Sequence, residues 1–365
     1  MTIKTYLASI PEIIAEAKKG NMFILVDDEG RENEGDLVIP AQMCDDKKIN
    51  FMAKYGRGLI CLALDEKRVK ELELPLMSFS NESRHKTAFT VSIEAREGIS
   101  TGISAFDRAK TISDAINEKN GKEAIVSPGH IFPLRSQNGG VLVRAGHTEA
   151  AVDIAKLAEL NPSGVICEIM NDDGSMARMP DLIKFAQEHN LKIATIADLI
   201  EYRRKNEKLI EVKEKGKFIN KQGDEFDLVI YKSKVDNIEH IALIKGKIGK
   251  APTLVRMHHL DIFSDCLEDA QNAKTGLLKK AMRKIADSQN GVLVIIRQPS
   301  ESISHLFSET NQIENKEKIL RNYGTGAQIL FDLGVREMNL LTNSKQSVIG
   351  LEGYGLKILD HINLL

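Results

Sequence analysis

The sequence predicts two domains of different class: an α+β domain with a mixed sheet flanked by helices, and after it a second α/β domain. Three observations lead there. The 365 residues exceed the usual span of one hydrophobic core. Strand-like apolar runs and helix-period segments alternate as far as Tyr202. A charged break, Arg203-Arg-Lys-Asn-Glu-Lys208, then separates that series from another, which sets the domains at residues 1–205 and 206–365.

Taken in order, Ile10 to Lys19 reads as a helix closed by Gly20, and Met22 to Val26 and Asp36 to Pro40 as short strands around an acidic loop. Gly58 to Leu64, Ala88 to Ile93 and Val141 to Arg144 have the apolar, β-branched character of strands. After Ala145-Gly-His-Thr148, the apolar positions Ala151, Ile154, Leu157 and Ala158 recur at helical spacing. Val165 to Met170 reads as a buried strand, Pro180 to Glu188 as a helix with proline in its first turn, Leu191 to Thr195 as a strand, and Ala197 to Tyr202 as an amphipathic turn. In the second domain, Leu209 to Val212, Asp227 to Tyr231, His240 to Ile244, Val292 to Arg297 and Glu337 to Leu341 read as strands. Gly276 to Ser288 and Gly326 to Leu333 read as helices, with Asn272 to Lys274 and Glu309 to Lys318 as polar connections.

Composition narrows the function classes. Charged residues make up 28% and hydrophobic ones 42%, and the formal charge is -2, so no global field points to nucleic acid or a membrane surface. Cys44, Cys61, Cys167 and Cys266 lie far apart with no Cys-x-x-Cys pair, which fits a reducing cytoplasm. The N-terminus lacks a basic start and a continuous apolar segment, so no signal peptide is expected, and nothing approaches the ~20 apolar residues of a membrane helix.

The densest chemistry lies in Asp27-Asp-Glu-Gly-Arg-Glu-Asn-Glu-Gly-Asp36, six carboxylates and one arginine directly after an apolar strand. Such crowding of like charge destabilises a fold unless a cation or ligand offsets it, and Gly30 and Gly35 permit tight turns that converge the oxygens. A hard-metal and sugar-phosphate site is one reading; a solvated hairpin tip is the other. A calcium loop fits less well, since the sixth place from Asp27, where the EF-hand wants glycine, is Glu32.

Three further segments carry polar groups: Ser127-Pro-Gly-His130, Arg144-Ala-Gly-His-Thr148 and Glu168. The second lies between a strand and a helix, where Thr148 can cap the helix while free N–H groups and Arg144 face a phosphate; a capped helix with a surface arginine is the plainer alternative. His147 follows Gly146 at that turn, and a neutral imidazole with a carboxylate such as Glu32 makes a workable Mg²⁺ or Mn²⁺ set. His130 reads as an imidazole on a turn. Glu168 stands in an apolar strand, where burial would raise its pKa and suit it to proton transfer, unless it pairs with an arginine at the strand end.

Together with Thr87-Ala-Phe-Thr-Val-Ser92, Gly98-Ile-Ser-Thr-Gly-Ile-Ser-Ala-Phe-Asp-Arg108, Ser127-Pro-Gly-His-Ile-Phe-Pro-Leu134, Arg144-Ala-Gly-His-Thr-Glu149 and Gly164-Val-Ile-Cys-Glu168, the acidic run resembles 3,4-dihydroxy-2-butanone 4-phosphate synthase over roughly residues 3 to 203. The resemblance implies conversion of D-ribulose 5-phosphate to formate and 3,4-dihydroxy-2-butanone 4-phosphate in riboflavin biosynthesis, with Mg²⁺ or Mn²⁺, two ions being possible, and no organic cofactor. It places the metal on Glu32 and His147. It assigns substrate contacts to Arg31, Glu32, Asp36, Arg144, Ala145, Gly146, His147, Thr148 and Glu168, and catalysis to His130, Glu168 and Asp36. It also implies a homodimer whose sites use residues of both subunits.

From about residue 209 the chain resembles the GTP cyclohydrolase II domain fused to such synthases, through His240-Ile-Ala-Leu-Ile-Lys-Gly246, Pro252-Thr-Leu-Val-Arg-Met-His258, Gly291-Val-Leu-Val-Ile-Ile-Arg-Gln298, Arg321-Asn-Tyr-Gly-Thr-Gly-Ala-Gln-Ile-Leu330, Leu333-Gly-Val-Arg336, Leu340-Leu-Thr-Asn343 and Gly350-Leu-Glu-Gly-Tyr-Gly355. That chemistry needs a zinc on three cysteine thiolates. Asp261, Asn272 and Lys274 stand where the cysteines belong, and Cys266 lies off those positions. The family's Glu-Gly-Arg becomes Pro299-Ser-Glu301, its aspartate becomes Ile319, and Arg321 and Thr342 remain. The expectation is an inactive domain in which zinc has no place, the alternatives being a bifunctional enzyme that also hydrolyses GTP and a nucleotide-binding regulatory protein. A replacement metal set of His258, His259 and Asp261 is disfavoured because adjacent strand residues point to opposite faces.

Overall fold

The computed structural model describes residues 6–78, 87–249, 251–272, 274–297, 316–342 and 354–364. The chain divides into two compact units, Met1–Arg203 and Arg204–Leu365. Pro299 to Glu301, residues 309–315 of the polar connection, Asn343 and residues 350–353 lie outside the described residues, as do the side chains of Ile319 and Arg321.

In the first unit, helix α1 (Ile10–Lys19) has Pro11 in its first turn and ends at Gly20, which takes φ 75. Ser9 begins it, its N–H and hydroxyl both donating to Glu12 Oε2 at 2.9 and 2.8 Å. Seven strands follow: β1 (Phe23–Val26), β2 (Gly35–Pro40), β3 (Cys61–Leu64), β4 (Ile93–Ala95), β5 (Ile125–Arg135), β6 (Ser163–Glu168) and β7 (Lys192–Thr195). They form one sheet in the order β4-β5-β3-β6-β2-β1-β7. The β1–β7 and β3–β5 pairs are parallel and the rest antiparallel, so the sheet is mixed.

Helices α2 (Asp46–Phe51), α3 (Glu66–Glu71), α4 (Ala105–Ile116), α5 (His147–Leu157), α6 (Met179–Glu188) and α7 (Ile196–Asn206) complete the unit. Alternation along each strand splits the core between two faces. Ile24, Leu37, Leu62 and Val165 pack with Ile112 of α4 and Leu182 of α6, whereas Leu25, Val38, Cys61 and Ile166 pack with Ile13 of α1, Ile154 of α5 and Leu199 of α7.

Four local expectations need correction. Val141 to Arg144 is not a strand: Gly139 and Gly140 take φ 91 and 62, Gly140–Leu142 forms a 3-10 turn, and the Val141 N–H donates to Asp153 Oδ2 at 2.8 Å. Only the end of Ala88 to Ile93 joins a strand, which starts at Ile93. The turn expected at Ser127 to His130 lies within β5, opposite a register break between Ile93 and Glu94. Such an irregularity accommodates Pro128 and Gly129, which regular pairing would not. The charged break after Tyr202 is helical to Asn206.

The second unit holds β8 (Ile210–Ile219), β9 (Glu225–Ser233), β10 (Glu239–Lys245), β11 (Thr253–His259), β12 (Gly291–Ile296), β13 (Glu337–Leu341) and β14 (Lys357–Ile362) in the order β14-β13-β11-β12-β10-β9-β8. Helices α8 (Leu277–Ala286) and α9 (Lys316–Asp332) cover opposite faces: Ala281 and Ile285 of α8 pack on Leu293 and Ile295, and Ala327 and Leu330 of α9 on Val292 and Val294. In both units, therefore, a mixed sheet is flanked by helices.

Candidate active site

The acidic loop between β1 and β2 is knit from within. Asp27 Oδ1 accepts the Glu34 N–H at 2.8 Å, while its Oδ2 accepts the Glu32 N–H at 3.2 Å and Arg31 Nη1 at 2.7 Å. The same Nη1 reaches Glu32 Oε2 at 2.6 Å, so one guanidinium bridges two carboxylates. Opposite stands His147, the first residue of α5, with Nδ1 3.8 Å from both Glu32 Oε2 and Asp36 Oδ1. Its Nε2 lies 3.2 Å from the Leu25 carbonyl oxygen. A carbonyl only accepts, so Nε2 carries the hydrogen of the neutral ring and Nδ1 turns a lone pair toward the acids. Asp27, Glu32 and His147 offer ligand atoms within 4.8 Å of one another, the one such group of histidine, cysteine and carboxylate side chains among the described residues. Asp27 was legible only as part of the run; its work is to hold the loop that presents Glu32.

Charge and burial set the protonation here. Burial opposes ionisation of Glu32, but the His147 imidazole and Arg31 guanidinium outweigh it and hold the carboxyl at about 2. Asp36, sealed beneath the loop, is pushed up to about 7 by burial and by the charges of Glu168, Glu32 and Glu34, against the pull of His147. Burial lowers His147, yet Asp36, Glu32 and Asp27 raise it to about 9. Asp36 Oδ1 is buried and has no hydrogen-bond partner among the described residues.

Sheet register collects the remaining polar groups. Asp36 pairs with Leu25 on one side and Glu168 on the other. Cys61 pairs with Ile166 on one side and Phe132 on the other, and beyond it the Gly58 N–H donates to the Glu168 carbonyl oxygen at 3.2 Å. Neighbours across a sheet share a face, so Asp36 and Glu168 belong with Leu25 to the α5 side.

Glu168 sits half-buried at the end of β6, where its Oε2 accepts the Leu59 N–H at 2.8 Å; no ion pair with an arginine is present there among the described residues. The adjacent Gly58 leaves no room for a side chain, since a Cβ there would lie 2.5 Å from Glu168 Oε2 and 2.6 Å from its carbonyl oxygen. Gly58→Ala is expected to displace Glu168, lowering stability by about 1–3 kcal/mol, which thermal melts measure. His130 Nδ1 lies 2.7 Å from Glu94 Oε2, a partner the sequence did not single out.

Arg144 donates to Glu149 Oε2 at 2.6 Å and to Thr87 Oγ1 at 3.0 Å. The sequence suggested Thr148 as the cap of α5, but the cap is Gly146, without a side-chain bond, and Thr148 lies buried inside the first turn. Gly146 is itself buried, and a Cβ on it would lie 2.4 Å from Arg144 Nη1 and 2.9 Å from Glu149 Oε2, so the Arg144–Glu149 pair packs against the start of α5.

In the second unit the positions that matter for zinc serve the backbone instead. Asp261 Oδ1 accepts the N–H groups of Phe263 and Ser264, and Asn272 Oδ1 that of Lys274. His258 Nε2 meets Asp265 Oδ2 at 2.8 Å, and among the described residues His258, His259 and Asp261 do not bring ligand atoms together.

An imidazole and several carboxylates meet at one end of a mixed sheet beside the start of α5, a donor set suited to acid–base chemistry and to a hard cation. The profile of the 3,4-dihydroxy-2-butanone 4-phosphate synthase family matches residues 11–202, and that of GTP cyclohydrolase II residues 212–363. A 3,4-dihydroxy-2-butanone 4-phosphate synthase of Photobacterium phosphoreum is 48% identical over 98% of this chain and 99% of its own. The crystal structure of a two-domain 3,4-dihydroxy-2-butanone 4-phosphate synthase from A. baumannii aligns with TM-score 0.77 and 40% identity over 97% of this chain and 99% of that one. A synthase crystallised in complex with two magnesium ions aligns with TM-score 0.53 and 37% identity, covering 55% of this chain and 98% of that one. The chain belongs to the 3,4-dihydroxy-2-butanone 4-phosphate synthase family and carries a second domain of the GTP cyclohydrolase II family.

Proposed function

We propose that the first unit converts D-ribulose 5-phosphate to formate and 3,4-dihydroxy-2-butanone 4-phosphate, a lyase step of riboflavin biosynthesis. The observation that carries this reading is the facing of His147 Nδ1 by both Glu32 Oε2 and Asp36 Oδ1 at 3.8 Å. Two oxygen donors and an imidazole fit Mg²⁺ or Mn²⁺, with Glu32 and His147 as its ligands, and two ions fit the same acid-rich loop. Such a dication supplies Lewis acidity to the oxygens of a bound sugar.

The chain's own groups do the rest. Arg144, Thr148 and the Ala145-Gly146-His147 turn hold the phosphate, so the distant end of the substrate is fixed while its carbonyl end is oriented. Arg31 holds Glu32 in place and faces the substrate. Asp36, paired across the sheet with Leu25 and Glu168, exchanges a proton with the substrate, and Glu168 and His130 serve as acid and base for the following steps. The test is formate release from ribulose 5-phosphate and Mg²⁺ by the full chain; no release sinks the reading.

The second unit is inactive toward GTP in this proposal, since Asp261, Asn272 and Lys274 offer no thiolate and a lysine repels a dication. The full chain is therefore expected to hold no stoichiometric zinc by elemental analysis and to yield no pyrimidine product from GTP. A zinc-bearing, GTP-hydrolysing preparation would establish the bifunctional alternative.

The working form is a homodimer in the cytoplasm. Ile103 and Phe106, on the Gly98–Arg108 motif, expose 54% and 70% of their surfaces, which a second copy would cover. Light scattering is expected to give twice the chain mass. All four cysteines are unpaired, as a reducing compartment requires, and among the described residues no helix is long and apolar enough to cross a membrane.

A further inference from the structure

Glu94, in β4, is held closely beside His130. Its side chain is 10% exposed, and Oε2 lies 2.7 Å from His130 Nδ1. Oε1 is buried without a hydrogen-bond partner among the described residues. The carboxylate fits against bare backbone: a Cβ on Gly102 would lie 2.1 Å from Oε1 and 2.3 Å from Oε2, and Gly102 takes φ 89.

That backbone is itself anchored. Asp107, in the first turn of α4, accepts the Ser100 N–H at 3.1 Å, the Ser100 hydroxyl at 2.7 Å and the Gly102 N–H at 3.0 Å. On the other side, Gly129 lets β5 approach β4, since a Cβ there would lie 2.1 Å from the Ile93 carbonyl oxygen. The register break between Ile93 and Glu94 turns this part of β5 toward Glu94. His130 itself stays open, with 43% of its side chain exposed.

An ionised carboxylate only accepts hydrogen bonds, so the neutral ring beside it carries its hydrogen on Nδ1 and a lone pair on Nε2. We propose that Glu94 is a positioning residue for His130: it fixes the Nδ1–H tautomer, so that Nε2 takes a proton from the bound sugar phosphate and returns it to a later species or to water. This rests on the assignment of His130 to proton transfer above. When Nε2 holds that proton the ring is a cation, and Glu94 at 2.7 Å offsets its charge without leaving its seat against Gly102. Nothing in the substrate needs to touch Glu94.

The test combines Glu94→Gln, His130→Asn and the double variant in the full chain. Glu94→Gln is expected to lower kcat by about tenfold to a thousandfold, as for other groups that orient a catalytic imidazole, with KM changed by less than about threefold. In the His130→Asn background the same change is expected to cost nothing further, since the partner through which it acts is gone. Independently, the ¹⁵N imidazole spectrum of the wild-type protein is expected to show His130 as the Nδ1–H tautomer, a result that does not depend on how any variant folds. Wild-type activity in His130→Asn would remove His130 from the chemistry and so defeat the functional assignment. A dead His130→Asn beside a fully active Glu94→Gln, or an Nε2–H ring in the wild type, would defeat the present inference alone.

Discussion

Glu32→Ala is expected to stop formate release from ribulose 5-phosphate, lowering kcat/KM by at least about a hundredfold, while the far-UV spectrum stays that of the wild type. The magnitude follows because changes outside a metal's direct ligands already cost 10- to 100-fold, and the proposed site makes Glu32 a direct ligand. The fold survives because the loop does not depend on Glu32: Asp27 takes the backbone N–H groups of Glu32 and Glu34 and the Arg31 guanidinium through its own carboxylate. Glu32→Gln separates charge from shape. Held at about 2, Glu32 is ionised at every working pH, so the amide removes one full negative charge at unchanged size. Formate release insensitive to both changes would dissolve the proposed metal site.

Stripping the divalent ion with EDTA is expected to abolish activity reversibly, and its rebinding to depend steeply on pH. His147, raised to about 9, carries a proton at neutral pH in the metal-free protein, and that proton must leave before Nδ1 can bind an ion. Affinity for Mg²⁺ or Mn²⁺ therefore weakens as pH falls below 9, by about tenfold per unit while His147 alone is titrating. Asp36 adds to the trend below about 7, where it takes up a proton of its own.

Linkage gives the matching stability change. Both groups have folded pKa values above their unfolded ones, so their contribution is fully present below the unfolded values and is lost as pH rises, through about 7 for Asp36 and about 9 for His147. The metal-free protein thus loses stability on the alkaline side, where the ion binds best. Added Mg²⁺ is expected to raise Tm more at alkaline than at acid pH. Calorimetry in two buffers of different ionisation enthalpy measures the released proton directly; a pH-independent affinity would take His147 out of the ligand set.

Helix α1 was legible from its apolar spacing and its stop at Gly20, and β1 from four consecutive apolar residues, which the sheet buries on both faces. Helix α4 escaped although Thr111, Ile112, Ala115 and Ile116 lie at helical spacing, and α9 starts at Lys316, well before the expected Gly326. Other elements offered no periodicity. Most of β8, from Val212 to Ile219, is charged and largely exposed, so nothing alternates to betray a strand. Val141 to Arg144 misled in the other direction, because residues buried in a 3-10 turn are as apolar as those of a strand. The site was legible as an inventory: Glu32, Asp36 and His147 do converge. Its supports were not. Glu94 sits in an ordinary strand sequence, and only the pairing of β4 with β5 brings it to His130, from 36 positions away. A lone glutamate in Ser-Ile-Glu-Ala carries no sign of what it will face.

The bridge from Arg31 to Asp27 and Glu32 has a kinetic consequence. Mutual repulsion among the loop's acids is already relieved by an internal countercharge, so the pocket need not wait for a cation in order to fold. An ion held by Glu32 and His147 would take over part of the countercharge that Arg31 supplies, while Asp27 would keep the guanidinium in the loop.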